Sequence, residues 1–460
     1  MCSASHTEAN PPKLGCWDND QGLGLMRVDI NFGKGSLPVE LSDDWQVTVV
    51  RKPQMPIEAD GAFAVKRALQ SPVGCAPFRE LARGCSNVCI LICDITRPVP
   101  NGVILPVLIK ELIAAGVEAK AITVLIATGL HRPNEGDELA KLVGDPWVLE
   151  TVNVVNHFAA RDDDHVLVGT TNSGTVVRLD RRFVNADLKI ATGLVEPHFF
   201  AGYSGGRKVI APGVAHAETI TTLHNAHFLE HPKTANCVLE GNQLHAEQLE
   251  IVSMVGDAYA VNTVIDEHRQ ISFVNFGEII VSHLDAVSVI RRFAEIPILE
   301  QFPTVVTSCA GYPLDQTYYQ TVKGMVGPLD ILSPGGSLIV ASECSEGLGS
   351  PQYVEAQRRL ISQGADVFLE QLKCKTHAAI DEWQTEMLLK PMQRGDVQLY
   401  APGLSNEEGE LTGVRMIESV DQAVRESIRK SNDTRVAIVP EGPYVVPFVR
   451  PNNAPSVNRR

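Results

Sequence analysis

Apolar residues in this chain gather in short bounded runs that alternate with helical stripes, the pattern of strands buried on both faces and joined by amphipathic helices. The stretch 87–131 shows it best. "NVCILICD" is a continuous apolar run, "TRPVPNG" breaks the chain, and "VILPVLIKELIAAGV" sets Ile104, Leu105, Leu108, Ile109, Leu112 and Ile113 on one helical stripe. "AKAITVLIATG" follows as the next strand. Such a strand–helix–strand crossover makes the two strands parallel, and ligand sites in open α/β sheets lie beyond the carboxyl ends of parallel strands. Asp94–Arg97 and Gly129–His131 are therefore expected on one rim.

The pentapeptide "IATGL" occurs at 126–130, just before His131, and again at 190–194, shortly before His198. Two strand ends are thus expected to deliver a histidine each to one cleft. A second α/β pattern begins near residue 303, with "PTVVTSC", "GSLIVASE", "VQLYAPG" and "RVAIVPEG" reading as strands and 351–373 and 414–430 as helical. The expected fold class is α/β: two doubly wound, Rossmann-like lobes with the active site in the cleft between them. The expected division is a mobile N-terminal extension at 1–25, a cofactor-binding catalytic lobe at 26–280, a connecting helix at 281–302, a second lobe at 303–447 and a mobile tail at 448–460.

Length changes little in this picture, because 460 residues suit about two or three domains. Charge changes more. A net charge of −15 with no basic run argues against nucleic acid, and it means that an anionic substrate must be captured by a few local cations. No apolar run reaches the roughly 18–20 residues of a membrane span and no signal-peptide core is seen, so no membrane partner and a cytoplasmic location are expected. The ten cysteines form no paired framework, and C-x3-C-x3-C at Cys85, Cys89 and Cys93 matches no common metal spacing. Cys89 and Cys93 lie in "VCILIC" and read as small hydrophobes of a buried strand.

Chemistry concentrates in "HFFAGYSGGRKVIAPG" (198–213). It imitates a phosphate loop, but Arg207 stands where that loop needs glycine and Val209 where it needs Ser or Thr. Six of thirteen histidines, His198, His216, His224, His227, His231 and His245, fall between 198 and 245. His224 and His227 form an i, i+3 pair that could hold a metal on one helical face but lacks the glutamate of a zincin. "DITRPVPN" offers Asp94, Thr96 and Arg97 on a rim loop, where Arg97 could fork onto a carboxylate or phosphate; the alternative is a structural Asp–Arg pair in a turn. In "PLDQTYYQTVKGM" (313–325), Gln320 and Lys323 share a helical face that could reach across the cleft.

As a set, "DITRPVP", "ATGLHRP", "GLVEPHFFAGYSGGRKVIAPG" and "GYPLDQTYYQTVKG" resemble the nickel-dependent lactate racemases, the nickel-pincer-nucleotide racemases and epimerases of 2-hydroxy acids. The resemblance runs from about "DINFGKGSLPVEL" (29–41) to "EGPYVVP" (441–447). It implies a pyridinium mononucleotide holding nickel in a carbon–sulfur pincer, fixed covalently to Lys208 through a thioamide, with His224 as the protein ligand of nickel. It implies that Asp94, Ile95, Thr96 and Arg97 contact cofactor and substrate and that His131 and His198 are paired acid/base residues. Gln320 and Lys323 match polar residues of the second lobe that serve both ligands, and Trp383 matches an aromatic of the substrate site. A small-molecule 2-hydroxy acid and the cofactor-biosynthesis machinery are the implied partners.

The residue chemistry is compatible with that assignment. Proton abstraction from an unactivated Cα–H beside a carboxylate is hard, whereas hydride removal yields a stable 2-oxo acid while a histidine takes the hydroxyl proton. Two hands of substrate call for two bases, and Arg97 with Lys323 would hold the carboxylate. An imidazole is a reasonable nickel ligand, and Gly205 and Gly206 give the lysine loop freedom. The same catalytic set would serve malate or another larger 2-hydroxy acid. Readings from other classes are a zinc hydrolase built on His198, His224 and His227, and a non-catalytic cofactor binder or carrier.

Overall fold

A computed structural model describes residues 25–450. The expected mobile segments lie almost wholly outside the described residues. Two six-stranded sheets organise the chain. The first runs in the order Ile271–Glu278, Tyr259–Ile265, Leu188–Leu194, Val88–Cys93, Ile122–Ala127, Asn153–Asn156. All neighbours in it are parallel except the edge hairpin formed by the first two. The second runs Arg415–Met416, Asp396–Tyr400, Leu332–Ala341, Phe302–Ser308, Arg435–Val439, Gln46–Val49, and is parallel throughout. Two doubly wound lobes are therefore present, as the patterning predicts.

The strand at 88–93 is buried along nearly its whole length because both faces are covered by helices. Helix Asn101–Ala114 lays Ile104, Leu105, Leu108, Ile109 and Leu112 into the core of the first lobe, while Ile113, expected on the same stripe, is 39% exposed. A second apolar cluster passes through both lobes, from Leu91 and Leu125 to Leu338 and Leu399, so the lobes pack firmly against each other.

Three boundaries differ from the sequence reading. The hairpin Leu25–Phe32/Gly35–Ser42 and strand Gln46–Val49 were expected in the first lobe, but Val28, Ile30, Val39 and Leu41 bury against Val306, Ile339 and Ile438 of the second. The connecting helix spans Ile279–Ala294, started by Glu278, whose carboxylate accepts from the Ile280 and Val281 amides. It gives way to strand Glu295–Ile298, which pairs in parallel with Val446–Val449, so residues 448 and 449 are paired strand rather than tail. Helical region 351–373 is two helices, parted at Gly364 with φ +81°.

Candidate active site

In the first sheet the strand order reverses between Val88–Cys93 and Leu188–Leu194, which opens a crevice at the carboxyl ends of those strands. Asp94, Thr96 and Arg97 follow the first of them, and Thr128 and His131 follow Ile122–Ala127. His198 follows Leu188–Leu194 in a two-residue hairpin, Pro197–His198 with Gly202–Tyr203. Lys208 lies in the first turn of helix Arg207–Ile210, and His224 ends helix Ala217–Leu223. The second lobe supplies Gln320 and Lys323 from helix Tyr318–Val326 and Trp383 from helix Glu382–Arg394. These residues line one cavity between the lobes, open to solvent.

Hydrogen bonds assign the imidazoles different chemical forms. His131 Nδ1 lies 2.6 Å from Asp94 Oδ2. Burial opposes ionisation of Asp94, but the hydrogen bond and charge of His131, with Thr96 and Arg97, hold its carboxyl below the usual range. The carboxylate thus accepts a hydrogen bond from Nδ1–H, which leaves Nε2 as the atom of His131 that can take a proton. His198 is arranged the other way. Its Nδ1 accepts from the Ala201 amide at 3.2 Å and the Phe200 amide at 3.5 Å, so its neutral ring carries the proton on Nε2. Burial, then the charges of Lys208, Arg97 and Lys323, keep that ring neutral by lowering its pKa well below the ordinary value.

His224 Nδ1 donates to the Ile220 carbonyl at 2.8 Å, which frees Nε2 as a ligand atom. Burial brings its pKa down to about 4, so it is unprotonated at neutral pH. The Trp383 ring lies 4.6 Å from it, centre to centre, and Trp383 Nε1 donates to the Tyr319 hydroxyl at 3.2 Å. Lys208 and Lys323 are both brought down to about 7, by burial first and then by the charge of Arg97. Arg97 donates to Glu196 Oε1 at 2.6 Å. Gln320 Oε1 is buried without a hydrogen-bond partner, an acceptor left for a ligand.

Among the described residues, no three metal-ligating side chains converge. A metal here would take one protein imidazole and its remaining ligands from an organic group. His224 with a free Nε2 and Lys208 in the same cavity fit that donor set; His227 does not line the cavity.

The lactate racemase N-terminal domain model matches residues 32–236, and the lactate racemase C-terminal domain model matches 300–446. A lactate racemase of Thermoanaerobacterium thermosaccharolyticum is 30% identical over 436 residues, 92% of this chain and 99% of that protein. The chain belongs to the lactate racemase family. A lactate racemase of Lactiplantibacillus plantarum is 28% identical over 92% of this chain and its own full length. The solved lactate racemase apoprotein of T. thermosaccharolyticum superposes with a TM-score of 0.85 at 29% identity, covering 92% of this chain and all of that one. A Thermotoga maritima protein structure, at 17% identity and a TM-score of 0.65, shares the fold.

The cavity brings together all but one of the residues to which the resemblance gives a role in this family member. Ile95 is the exception: it packs against the core of the first lobe while its neighbours line the cavity. The His224/His227 pair does not share a helical face, because helix Ala217–Leu223 ends at His224 and Asn225 caps a new turn, Ala226–Leu229. His216 caps a helix, and His245 lies buried in helix Gln243–Val255. Cys93 reaches the cavity, but burial pushes its thiol up to about 12, which leaves it inert. Asp94 and Arg97 do not simply pair with each other: Asp94 serves His131, and Arg97 meets Glu196. Sequence reasoning missed Glu196, though it stands two residues before His198 in the quoted motif.

Proposed function

We propose that this protein racemises a short 2-hydroxy acid of the lactate type, using a nickel-pincer nucleotide attached to Lys208 and ligated by His224. The observation that carries the reading is the meeting, in one interlobe cavity, of Lys208, His224, the Asp94–His131 pair, His198 and the cations Arg97 and Lys323. When bound, the cofactor supplies the acceptor for the Cα hydride.

The protein's own residues do the rest. Arg97 and Lys323 bind the substrate carboxylate, concentrating an anion that the net charge of the chain repels. The Nε2 lone pair of His131 takes the hydroxyl proton as the Cα–H bond breaks, and Asp94 stabilises the resulting imidazolium. The Nε2–H of His198 would donate a hydrogen bond to the substrate oxygen, and this ring becomes a base at Nε2 only by exchanging tautomer, which breaks its contact with the Ala201 amide. The two hands of substrate therefore meet histidines in different resting forms. Since the equilibrium constant of racemisation is one, kcat/KM must match for the two enantiomers, but kcat and KM separately need not.

Protein produced in a host that makes the cofactor should carry a mass addition on the Lys208 peptide and stoichiometric nickel. It should racemise Cα-deuterated lactate with deuterium retained. An unmodified Lys208 without nickel would refute the cofactor assignment, and wash-out of deuterium to solvent would refute hydride transfer.

A further inference from the structure

Arg207 is the residue that spoils the phosphate-loop pattern, and no step above uses it. It is 1% exposed and, among the described residues, forms no ion pair. Its contacts are neutral. Nη2 donates to the Ala201 and Tyr203 carbonyls at 2.9 and 3.2 Å, Nη1 lies 3.1 Å from His283 Nε2, and Nε has no partner. A buried guanidinium without a carboxylate is costly, and burial alone brings its pKa down to about 9.

The neighbourhood is shaped for it. Gly205 and Gly206 have φ +79° and +47°, and a side chain at Gly206 would meet the His283 ring at 3.0 Å. His283 comes from the connecting helix, and its Nε2 donates to the Ser204 carbonyl at 2.8 Å, so this imidazole ties the 201–207 turn to that helix with the guanidinium packed against it. The next residue is Lys208, on the cavity side.

We propose that Arg207 is a positioning residue for Lys208: held by the Ala201 and Tyr203 carbonyls, it fixes the turn that presents Lys208 to the cavity, and its unneutralised charge adds to burial and Arg97 in favouring the bond-forming amine. The purpose rests on the reading above. Thioamide capture of a thiocarboxylic acid forms one N–C bond, and the carbonyl oxygen leaves as water with one proton from the amine and one from the thioacid. An ammonium has no lone pair for that bond. Arg97 on the neighbouring loop acts with Arg207; Cys93 on strand Val88–Cys93 and Glu196 on the third strand end oppose them. Across the cavity, His198, His224 and Lys323 oppose protonation of Lys208, because its ammonium form lowers their own pKa values.

The test is competitive acetylation of the cofactor-free full-length protein with trace acetic anhydride between pH 6 and 11, read by peptide mass. Wild-type Lys208 should show a midpoint near 7, far below exposed lysines. Arg207→Met and Arg207→Gln, both neutral, should raise it, and a rise of one unit lowers labelling at pH 7 by about fivefold. Arg207→Lys should keep it low. A wild-type midpoint at the ordinary lysine value overturns the proposal whether or not the variants fold, and so does an unchanged midpoint in a folded neutral variant. A low Lys208 midpoint in protein that acquires no cofactor would instead refute the cofactor assignment and leave the role of Arg207 standing.

Discussion

Replacing Asp94 with Asn tests the assignment of His131 as a base. The carboxylate is 4% exposed and accepts from His131 Nδ1, from the Thr96 hydroxyl at 2.6 Å and from the Thr96 amide at 3.3 Å. An asparagine amide in its place can donate to Nδ1, which moves the ring proton to Nε2 and removes the lone pair from the reacting atom. It also removes the charge that stabilises the imidazolium. Two unit charges about 4 Å apart interact by about 4 kcal/mol at an effective dielectric constant of 20. The His131 side chain is 54% exposed, so screening reduces that to roughly 1–3 kcal/mol. The expected fall in kcat is therefore about 5- to 150-fold. The assay is racemisation of each lactate enantiomer by loaded enzyme, in single variants and in the pair with His131→Asn. If Asp94 acts through His131, Asp94→Asn costs little more once His131 is gone. A full loss repeated in the His131→Asn background, or a single variant within threefold of wild type, would sink the assignment.

Glu196→Gln removes the carboxylate that raises the pKa of Lys323, so Lys323 loses its proton at lower pH and KM for an anionic substrate should start to climb at a lower pH than in wild type; coincident KM–pH profiles would refute this. Gly202→Ala should destabilise the chain by at least about 2 kcal/mol in urea unfolding and lower activity, because Gly202 has φ +76°, a Cβ would meet the Val238 carbonyl at 2.3 Å, and Gly202 pairs with His198. His157 is buried, with Nε2 at 3.0 Å from His165 Nε2, and desolvation followed by the charge of His165 brings its pKa down to about 3. Its folded value lies below its unfolded one, so stability is full above pH 6.5 and is lost as pH falls towards 3. At pH 5 the loss is about 2 kcal/mol relative to pH 8, and urea midpoints should fall less over that range in His157→Gln than in wild type.

The sequence alone determined the alternation of buried strands and helices and the two lobes, because apolar periodicity is a local property, while the residues expected in the cleft came from the resemblance of its motifs to a family. Tertiary structure decided what those segments do. "IATGL" at 190–194 lies wholly within its strand, where Gly193 and Leu194 pair with Asn262 and Thr263. The same letters at 126–130 leave the sheet after Ala127 and turn at Gly129, with φ +56°, whose amide donates to the Gly213 carbonyl. Identical side chains thus take different paths because only one copy has a neighbouring strand long enough to pair with. The Arg97–Glu196 contact joins residues 99 positions apart, and residues 25–49 cross to the second lobe, where the apolar face of their hairpin finds its cover. The protonation of Lys208 likewise depends on burial first and then on Arg97, which is adjacent only through the fold, since burial and the distance between charges exist only once the chain is packed.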